Sequence, residues 1–360
     1  MDVITSLNGF EAERERWERL YRADECAQVF LSWPWLAAYL TDAPRGWRIL
    51  ALREDGELIA ALPLRTSPIP SRFFPVARQL GFASAPVADY QGMLCAPGRE
   101  RDAVRAFAGA IRRMRWDRIW FSDVADPRVR ELLAALPGGT GAVETTLTTI
   151  CPRADLPATW EQYTASLGQG TRGTTVRSIR RMREELPEFR ISSPTDGDID
   201  AHVEAMVQLH HARWGGSIRT SRAKYGRLHR AAHVRGCLRM IVLWDGARPV
   251  AGASAFVDPV RGTYNLYQLV FDAAYGKYSP GKGAVGLAIR DAIEGGFRVF
   301  DFLRGDEPYK TSYASGSIVT THFRVVRGGL RSSLFGAINP AYRTVKAAAV
   351  RVVYGPGRMF

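Results

Sequence analysis

The run Asp301–Lys310 (DFLRGDEPYK) contains carboxylates, a phenol and an ammonium group, and it begins at the end of a strand predicted over residues 298–303. Transfer of an acyl group to an amine needs a base for the amine proton, donors for the developing oxyanion and an acid for the leaving group. The run offers candidates for these roles: the bases Asp301, Asp306 and Glu307, the acid Tyr309 and the electrostatic clamp Lys310. The alternative is an exposed turn that forms salt bridges within itself.

A second candidate site is a glycine-rich loop before a helix predicted over residues 284–295. Its residues are Tyr278, Ser279, Pro280, Gly281, Lys282 and Gly283. Small residues let backbone amides approach a ligand, and a helix N-terminus adds partial positive charge, so the loop favours a pyrophosphate. Lys282 contributes a full charge. The alternative is an ordinary turn at a helix start.

These candidate sites sit within a duplicated order of elements. Each half has helical segments, then a hairpin with an Asp-Gly turn, a further strand, a Pro-Gly loop, a helix and one more strand. The predicted segments of the first half are 47–53, 57–64, 89–95, 99–115 and 117–122, and those of the second are 238–244, 248–257, 263–271, 284–295 and 298–303. The order predicts two tandem α/β units with a boundary near residues 145–155, where Cys151-Pro152 fits a connector.

The two halves differ in charge and in their Pro-Gly loops. Residues 1–150 carry 19 Arg, no Lys and 19 acids, whereas residues 151–360 carry 25 Arg and 5 Lys against 17 acids, so the whole net charge of +13 lies in the second half. The loop of the first half, residues 96–102, contains Glu100 and Asp102 and lacks a second glycine. We therefore expect a degenerate first unit and a phosphate-bearing ligand on the second. A solvated basic surface is the alternative.

Basic and aromatic residues on two predicted helices are candidates for substrate binding. Arg177, Arg180 and Arg181 share a face of the helix predicted over 174–186, which suits a nucleotide, a tRNA or a lipid-linked phosphate. On the helix predicted over 198–214, His210 and Arg213 precede Trp214, and we expect them to line an acceptor cleft. A solvated basic helix and a structural histidine are the respective alternatives.

Several other classes are disfavoured. No segment approaches about 18 uncharged apolar residues, and the N-terminus lacks the apolar region of a signal peptide. The four cysteines form no CxxC pair, and neither HExxH nor GxSxG occurs. We therefore expect a cytoplasmic protein with reduced thiols, no metal site and no serine nucleophile. The apolar, basic stretch 334–354 predicts a terminal helix, packed on its domain or lying on an anionic membrane surface.

The run Asp301–Lys310, preceded by FDAAYGKYSPG, resembles the CelD-like (cellulose-biosynthesis-associated) branch of the GNAT acetyltransferases. That branch is similar to the FemAB aminoacyltransferases, which carry two GNAT domains in tandem. Further resemblances are Trp33–Leu36 to an early Ser-Pro-x-Trp segment, Thr171–Arg181 to a basic helix, and His210–Trp214 to a Leu-His-x-x-Arg-Trp element. The match extends over most of residues 20–330. It departs from the usual GNAT phosphate loop at Tyr278, where Gln or Arg is common.

The resemblance implies an α/β (α+β) fold of two GNAT-like domains, each a mixed twisted sheet flanked by helices. The implied domains are a degenerate N-terminal unit (1–150), an acyltransferase unit (151–333) and a basic tail (334–360). It implies an N-acyltransferase without a tightly bound cofactor that uses acyl-CoA as co-substrate. The acceptor would be an amine on a small molecule, a sugar or a cell-envelope precursor, at the inner face of the membrane or in the cytoplasm.

The expected site residues follow from these observations together. The catalytic candidates are Asp301, Glu307, Tyr309 and Lys310. The donor-binding candidates are Leu269, Val270 and Phe271, whose amides would polarise the carbonyl, and Tyr278, Ser279, Pro280, Gly281, Lys282 and Gly283. The acceptor-binding candidates are Arg177, Arg181, His210, Arg213, Trp214 and Arg304. Two alternatives stay open: a transferase that uses aminoacyl-tRNA and a cell-wall precursor, and a non-catalytic accessory protein of exopolysaccharide synthesis.

Overall fold

The computed structural model describes residues 1–69, 77–136, 142–215 and 222–328. The tail predicted over 334–360 lies outside these residues. No described helix combines the length and the apolar character that a bilayer span requires.

The described residues form a large mixed sheet flanked by helices. Its strands are β1 Asp2–Ile4, β2 Trp47–Glu54, β3 Glu57–Ile69, β4 Ala77–Phe82, β5 Leu94–Cys95, β6 Arg118–Val124, β7 Glu144–Asp155, β8 Phe189–Ser192, β9 Leu238–Asp245, β10 Arg248–Asp258, β11 Thr263–Phe271, β12 Val299–Asp301 and β13 Gly316–Val326. The α-helices are α1 Leu7–Glu11, α2 Arg14–Ala23, α3 Trp33–Leu40, α4 Glu100–Arg113, α5 Arg128–Ala134, α6 Trp160–Ser166, α7 Gln169–Glu185, α8 Ile199–Trp214, α9 Arg227–Val234, α10 Pro280–Glu294 and α11 Pro308–Thr311.

Both predicted hairpins are confirmed. The turn between β2 and β3 has positive φ angles at Asp55 (48°) and Gly56 (83°), and the turn between β9 and β10 has one at Gly246 (58°). Glycine and aspartate adopt this left-handed conformation with less strain than other residues, so the Asp-Gly pairs fix where each chain reversal occurs.

The last strand of each half pairs with the sheet of the other half. The strand order is β1-β2-β3-β4-β6-β13-β7-β12-β11-β10-β9-β8. Strand β13, from the end of the second half, pairs with β6 of the first half, and β7, from the end of the first half, pairs with β12 of the second. β7 and β13 also pair with each other. The exchange joins the halves by backbone hydrogen bonds and fixes the cleft between them.

Helices cover both faces of the second half of the sheet. Along β10, alternate residues belong to opposite faces. Gly252 faces α8, where the sulfur of Met206 leaves no room for a Cβ (2.3 Å), whereas Ala251 and Ala253 belong to the core that includes Ala288 of α10. Both helices are therefore held rigidly against the strands that lead into the site.

Some predictions for the first half and for the junction are wrong. The connector expected around Cys151-Pro152 is strand β7, whose Thr-rich N-terminal part favours extended backbone. The Pro152 carbonyl accepts a hydrogen bond from the Phe302 amide (3.0 Å). The boundary at 150/151 falls inside this strand, and the division into 1–150 and 151–333 stays a prediction.

Two other segments differ from the prediction. The strand expected over 89–95 is only Leu94–Cys95, because residues 89–90 form a bend and Gln91 makes only an isolated bridge to Val124. The strand that runs parallel to β6 is instead β4. Helix α10 begins at Pro280 rather than Ala284, since proline is well suited to the first position of a helix.

Candidate active site

Strands β11 and β12 diverge and open a wedge in the sheet. They pair in parallel from Thr263 opposite Val299 to Asn265 opposite Asp301. After Asp301 the chain follows β7, and Leu303 takes a left-handed conformation (φ 56°). A gap is therefore left between residues 266–270 and 302–304.

The wedge forms the floor of a cleft of about 360 Å³ between the two halves, which we call the active-site cleft. Its lining includes residues of both halves: Pro86, Val87, Asp89, His210, Arg213, Trp214, Tyr225, Leu266, Tyr267, Gln268, Leu269, Val270, Phe302, Leu303, Arg304, Glu307, Tyr309 and Lys310. A pocket of this size with convergent charged and aromatic groups suits a small polar ligand.

The wedge leaves one edge of β11 without a strand partner among the described residues. β10 pairs with β11 up to Phe271, on the opposite edge, and the register shifts near Tyr267. In an antiparallel pair, alternate residues direct their amide and carbonyl away from the partner. The Asp272 amide donates to the Val250 carbonyl, so by this alternation the Val270 amide also faces β10, whereas the amides of Leu269 and Phe271 lie on the open edge and are available to a ligand. The role expected for Leu269, Val270 and Phe271 in polarising a carbonyl stays a prediction. Leu269 and Val270 line the cleft, and Phe271 does not.

Arg304 links the two halves at the cleft wall. Its Nε lies 3.2 Å from Asp89 Oδ1 and its Nη1 lies 2.9 Å from Asp123 Oδ2, and both carboxylates belong to the first half. The Arg304 amide also donates to Asp89 (3.0 Å). His322 lies 3.1 Å from the other oxygen of Asp123. These contacts hold the Arg304 guanidinium beside Asp89.

Asp89 is a carboxyl group of the cleft that the sequence prediction missed. Its side chain is almost fully buried, and burial raises its pKa from 3.8 to about 6, although Arg304 acts in the opposite direction. A carboxyl group with this pKa is ionised at neutral pH, and its pKa is close enough to 7 for the group to accept and release a proton. The missed signal is APVADYQG, an acid within an apolar stretch that does not form the strand we expected.

Glu307, Tyr309 and Lys310, which we expected to be catalytic, also line the cleft. Lys310 is buried, and its ammonium donates to the Arg304 carbonyl (2.6 Å) and lies 2.9 Å from Glu307 Oε2. Glu307 is exposed. Burial raises the pKa of the Tyr309 phenol above its ordinary value, so the group holds its proton at neutral pH and can donate it.

Asp301 does not reach the cleft lining. It is completely buried and accepts hydrogen bonds from Tyr90 (2.9 Å), from Arg153 Nε (2.6 Å) and from the Leu303 amide (2.7 Å). Burial raises the pKa of its carboxyl group, although Arg153 acts in the opposite direction. The geometry favours a positioning role, in which Asp301 holds the chain where it turns away from β11.

The glycine-rich segment is the first turn of α10, and it packs against other side chains. A Cβ on Gly281 would lie 2.8 Å from the Phe271 ring, and one on Gly283 would lie 2.6 Å from Ser178 Oγ of α7. The amides of Lys282 and Gly283 donate to the Ser279 carbonyl (3.0 and 3.3 Å). Close packing therefore accounts for these glycines without a ligand, and none of residues 278–283 lines the cleft.

The basic side chains near this turn differ in their surroundings. Arg181 donates to Glu185 and to the Lys277 carbonyl (3.2 Å each), and its guanidinium lies over the Tyr278 ring. Arg177 is exposed on the same helix. Within the described part of the chain, the ammonium group of the half-buried Lys282 has no hydrogen-bond or ion-pair partner.

His210, Arg213 and Trp214 lie together on the cleft wall, and their role in acceptor binding stays a prediction. The Arg213 guanidinium stacks over Phe271, 4.2 Å from the ring centre. Two aromatic residues that the sequence reading did not single out extend this wall: the rings of His210 and Tyr225 are 5.1 Å apart, and those of Tyr225 and Tyr267 are 6.4 Å apart. Such a wall can stack against a planar or sugar-like group.

Comparison with known proteins agrees with this architecture. Residues 169–311, in the second half of the chain, match the family model described as an acetyltransferase (GNAT) domain. No curated protein matches the chain by sequence.

Solved structures with the same fold cover nearly the whole chain. The structure of FemX is similar with a TM-score of 0.61 at 11% identity, over 94% of this chain and 100% of that one. L-PGS from Bacillus licheniformis has a TM-score of 0.54 at 10% identity, over 94% and 95% of the two chains. A tandem GNAT protein from the clavulanic acid biosynthesis pathway has a TM-score of 0.52 at 12% identity, over 91% and 98%. The tandem GNAT fold is thereby confirmed, and the CelD-like branch stays a prediction.

Proposed function

We propose that this chain is an N-acyltransferase that joins an activated acyl group to an amine bound in the active-site cleft. The observation that carries the proposal is the open edge of β11 on the same cleft as Asp89. Unpaired amides of a strand edge can hold the oxygen of a carbonyl, and a nearby carboxylate can take the proton of an attacking amine. The GNAT domain matched over residues 169–311 supports the same chemistry.

In the proposed reaction, the lone pair of a neutral amine forms the new C–N bond at the acyl carbon. The carbonyl π electrons move to the oxygen, which the β11 amides stabilise. Asp89 accepts the amine proton. When the tetrahedral intermediate collapses, the bond to the leaving sulfur or oxygen breaks, and Tyr309 supplies the proton that the leaving group takes.

Arg304 and Lys310 support this chemistry from the cleft wall. The guanidinium of Arg304 stabilises the ionised form of Asp89 and so keeps it a competent base at neutral pH. Lys310 fixes the turn that presents Arg304, because it donates to the Arg304 carbonyl. The ammonium also lines the cleft and can stabilise negative charge on the donor.

Acyl-CoA is the first candidate for the donor, because the matched domain is described as an acetyltransferase. We propose Lys282 as a contact for its phosphates, since this half-buried ammonium lies in the first turn of α10. A second candidate is aminoacyl-tRNA. It is favoured by the packing of α7 on Gly283 and of Phe271 on Gly281, which occupies the space a diphosphate would need near those amides. The one-sided positive charge fits either donor.

We further propose a cell-envelope precursor or an amino sugar as acceptor. A similar fold is found in a structure described as the C-terminal domain of a putative lysylphosphatidylglycerol synthetase from Agrobacterium fabrum (TM-score 0.53, 12% identity, over 97% of this chain and 100% of that one), and this similarity supports the choice together with the aromatic wall of the cleft. The CelD-like resemblance supports it as well.

A thermal-shift panel with acetyl-CoA, octanoyl-CoA and tRNA tests the donor. Lys282→Gln and Arg290→Gln each remove one positive charge from α10, and only the first changes the predicted phosphate contact. Stabilisation by a CoA thioester that Lys282→Gln removes and Arg290→Gln retains supports acyl-CoA. Stabilisation by tRNA alone, falling steeply with salt, supports the second donor. The proposal fails if neither donor class stabilises the protein.

A further inference from the structure

A second cavity adjoins the active-site cleft and is larger than it. This side cavity has a volume of about 630 Å³ and lies between α3 and α9, one helix from each half. Its lining comprises Ala38, Tyr39, Thr41, Asp42, Pro44, Arg65, Ala85, Pro86, Val87, Arg227, Leu228 and Ala231. Pro86 and Val87 also line the active-site cleft, so the two spaces meet at these residues.

The polar side chains that line the side cavity already have protein partners. Arg227 of α9 binds Asp42, just beyond α3, with its Nη1 lying 2.7 and 2.8 Å from the two carboxylate oxygens. The Tyr39 hydroxyl donates to the Ala83 carbonyl (3.0 Å), and Arg65 donates to the Ala85 carbonyl (3.0 Å). Thr41 donates to the carbonyl four residues before it.

These existing hydrogen bonds determine which kind of ligand group the side cavity can bind. A polar group that enters gives up hydration and gains few new partners, because the side chains around it are already bonded. A hydrocarbon group has no hydrogen bonds to water to give up, and it buries apolar surface against Val87, Leu228 and Ala231. The interior of the side cavity therefore selects an apolar ligand group.

Two polar contacts connect the walls of the side cavity. The Arg227–Asp42 ion pair joins the two helices across it, and the Arg65 contact fixes the segment that separates it from the cleft. A partly open cavity of this size with a mostly apolar lining is a candidate binding site for an apolar ligand group.

We propose that the side cavity binds the hydrocarbon chain of an amphiphilic acceptor whose amine lies beyond Pro86 in the active-site cleft. The position of the amine rests on the proposed function, whereas binding of the chain does not. The inference narrows the acceptor to a lipid-like amine.

Calorimetric binding of butylamine and octylamine, without any donor and below micelle formation, tests the inference. Each fully buried methylene strengthens binding about fourfold. The side cavity is partly open, so we expect octylamine to bind about tenfold or more tighter than butylamine. Ala231→Trp fills the side cavity and should remove this length dependence, while Val234→Trp, at an exposed position of the same helix, should retain it.

A smaller substitution at the same position controls for the case in which Ala231→Trp does not fold. Ala231→Leu fills less of the space and should reduce the length dependence partially, with an unchanged circular dichroism spectrum. Equal affinity for the two amines in the wild-type protein overturns the inference, and so does a length dependence that both Ala231 variants retain. Because no acyl donor is present in this experiment, neither result tests the proposed acyl transfer, which is tested separately by product formation.

Discussion

Replacing Asp89 by asparagine separates a catalytic role from a structural one. A pKa of about 6 in place of 3.8 means that the fold disfavours the ionised carboxylate by about 3 kcal/mol. Because the pKa is raised, this cost is absent below pH 4, grows between pH 4 and 6 and is complete above pH 6. Asp89→Asn removes the charge at nearly constant shape. At pH 8 we expect the free energy of unfolding to rise by about 1–3 kcal/mol.

The same substitution should damage catalysis. Loss of a general base lowers kcat about 10²–10⁴-fold. In the wild-type protein, kcat/KM should rise with pH through about 6 as Asp89 ionises. In Asp89→Asn that rise should disappear, and only the rise that reflects the acceptor amine itself should remain. Urea unfolding at pH 5 and pH 8, with kcat/KM profiles for both proteins, measures these effects.

Two control variants complete this test. Asp306→Asn removes an exposed carboxylate of the motif that does not line the cleft, and Glu307→Gln removes one that does. Both should retain the rise near pH 6. The reasoning is refuted if Asp89→Asn keeps wild-type kcat, or if Glu307→Gln rather than Asp89→Asn abolishes the rise.

Three further predictions concern the framework of the site. Asp301→Ala leaves three donors, the Tyr90 hydroxyl, the Arg153 guanidinium and the Leu303 amide, without their acceptor and should lower the free energy of unfolding by about 3–5 kcal/mol in urea titrations; an unchanged value contradicts the positioning role. Gly283→Ala should cost about 1–3 kcal/mol because its methyl group meets α7, while Gly276→Ala, with open space around it, should cost less than half as much. Deletion of residues 316–326 should remove cooperative unfolding from both halves, since β13 completes the sheet of each, and a surviving melting transition contradicts this view.

The second half of the fold was predictable because its signals are local. Asp245-Gly246 marks the hairpin, and the strand predicted over 263–271 matches β11. The exchange of β7 and β13 was not predicted, because pairing between residues more than 140 positions apart leaves no local pattern. The presence of Pro152 is also the reason why the segment of β7 was predicted to be a connector.

The site was predicted in part for a similar reason. The motif Asp301–Lys310 identified the cleft wall, but burial and not residue type decides that Asp301 faces Arg153 while Glu307 and Lys310 face the cleft. Asp89 acquires its role only through the second half, which supplies Arg304. The glycines of α10 illustrate the converse: small residues that suggest a phosphate loop also allow a helix to pack closely.

Detection of a new amide bond tests the central claim most directly. The protein is incubated with an acyl-CoA or a charged tRNA and a panel of amines, and products are identified by mass spectrometry. We predict that wild type and the surface variant Leu147→Trp form an N-acyl product, and that Leu269→Trp, which obstructs the wedge beside β11, does not. Failure of the wild type to form an amide with either donor, or equal product from Leu269→Trp, would contradict acyl transfer in this cleft.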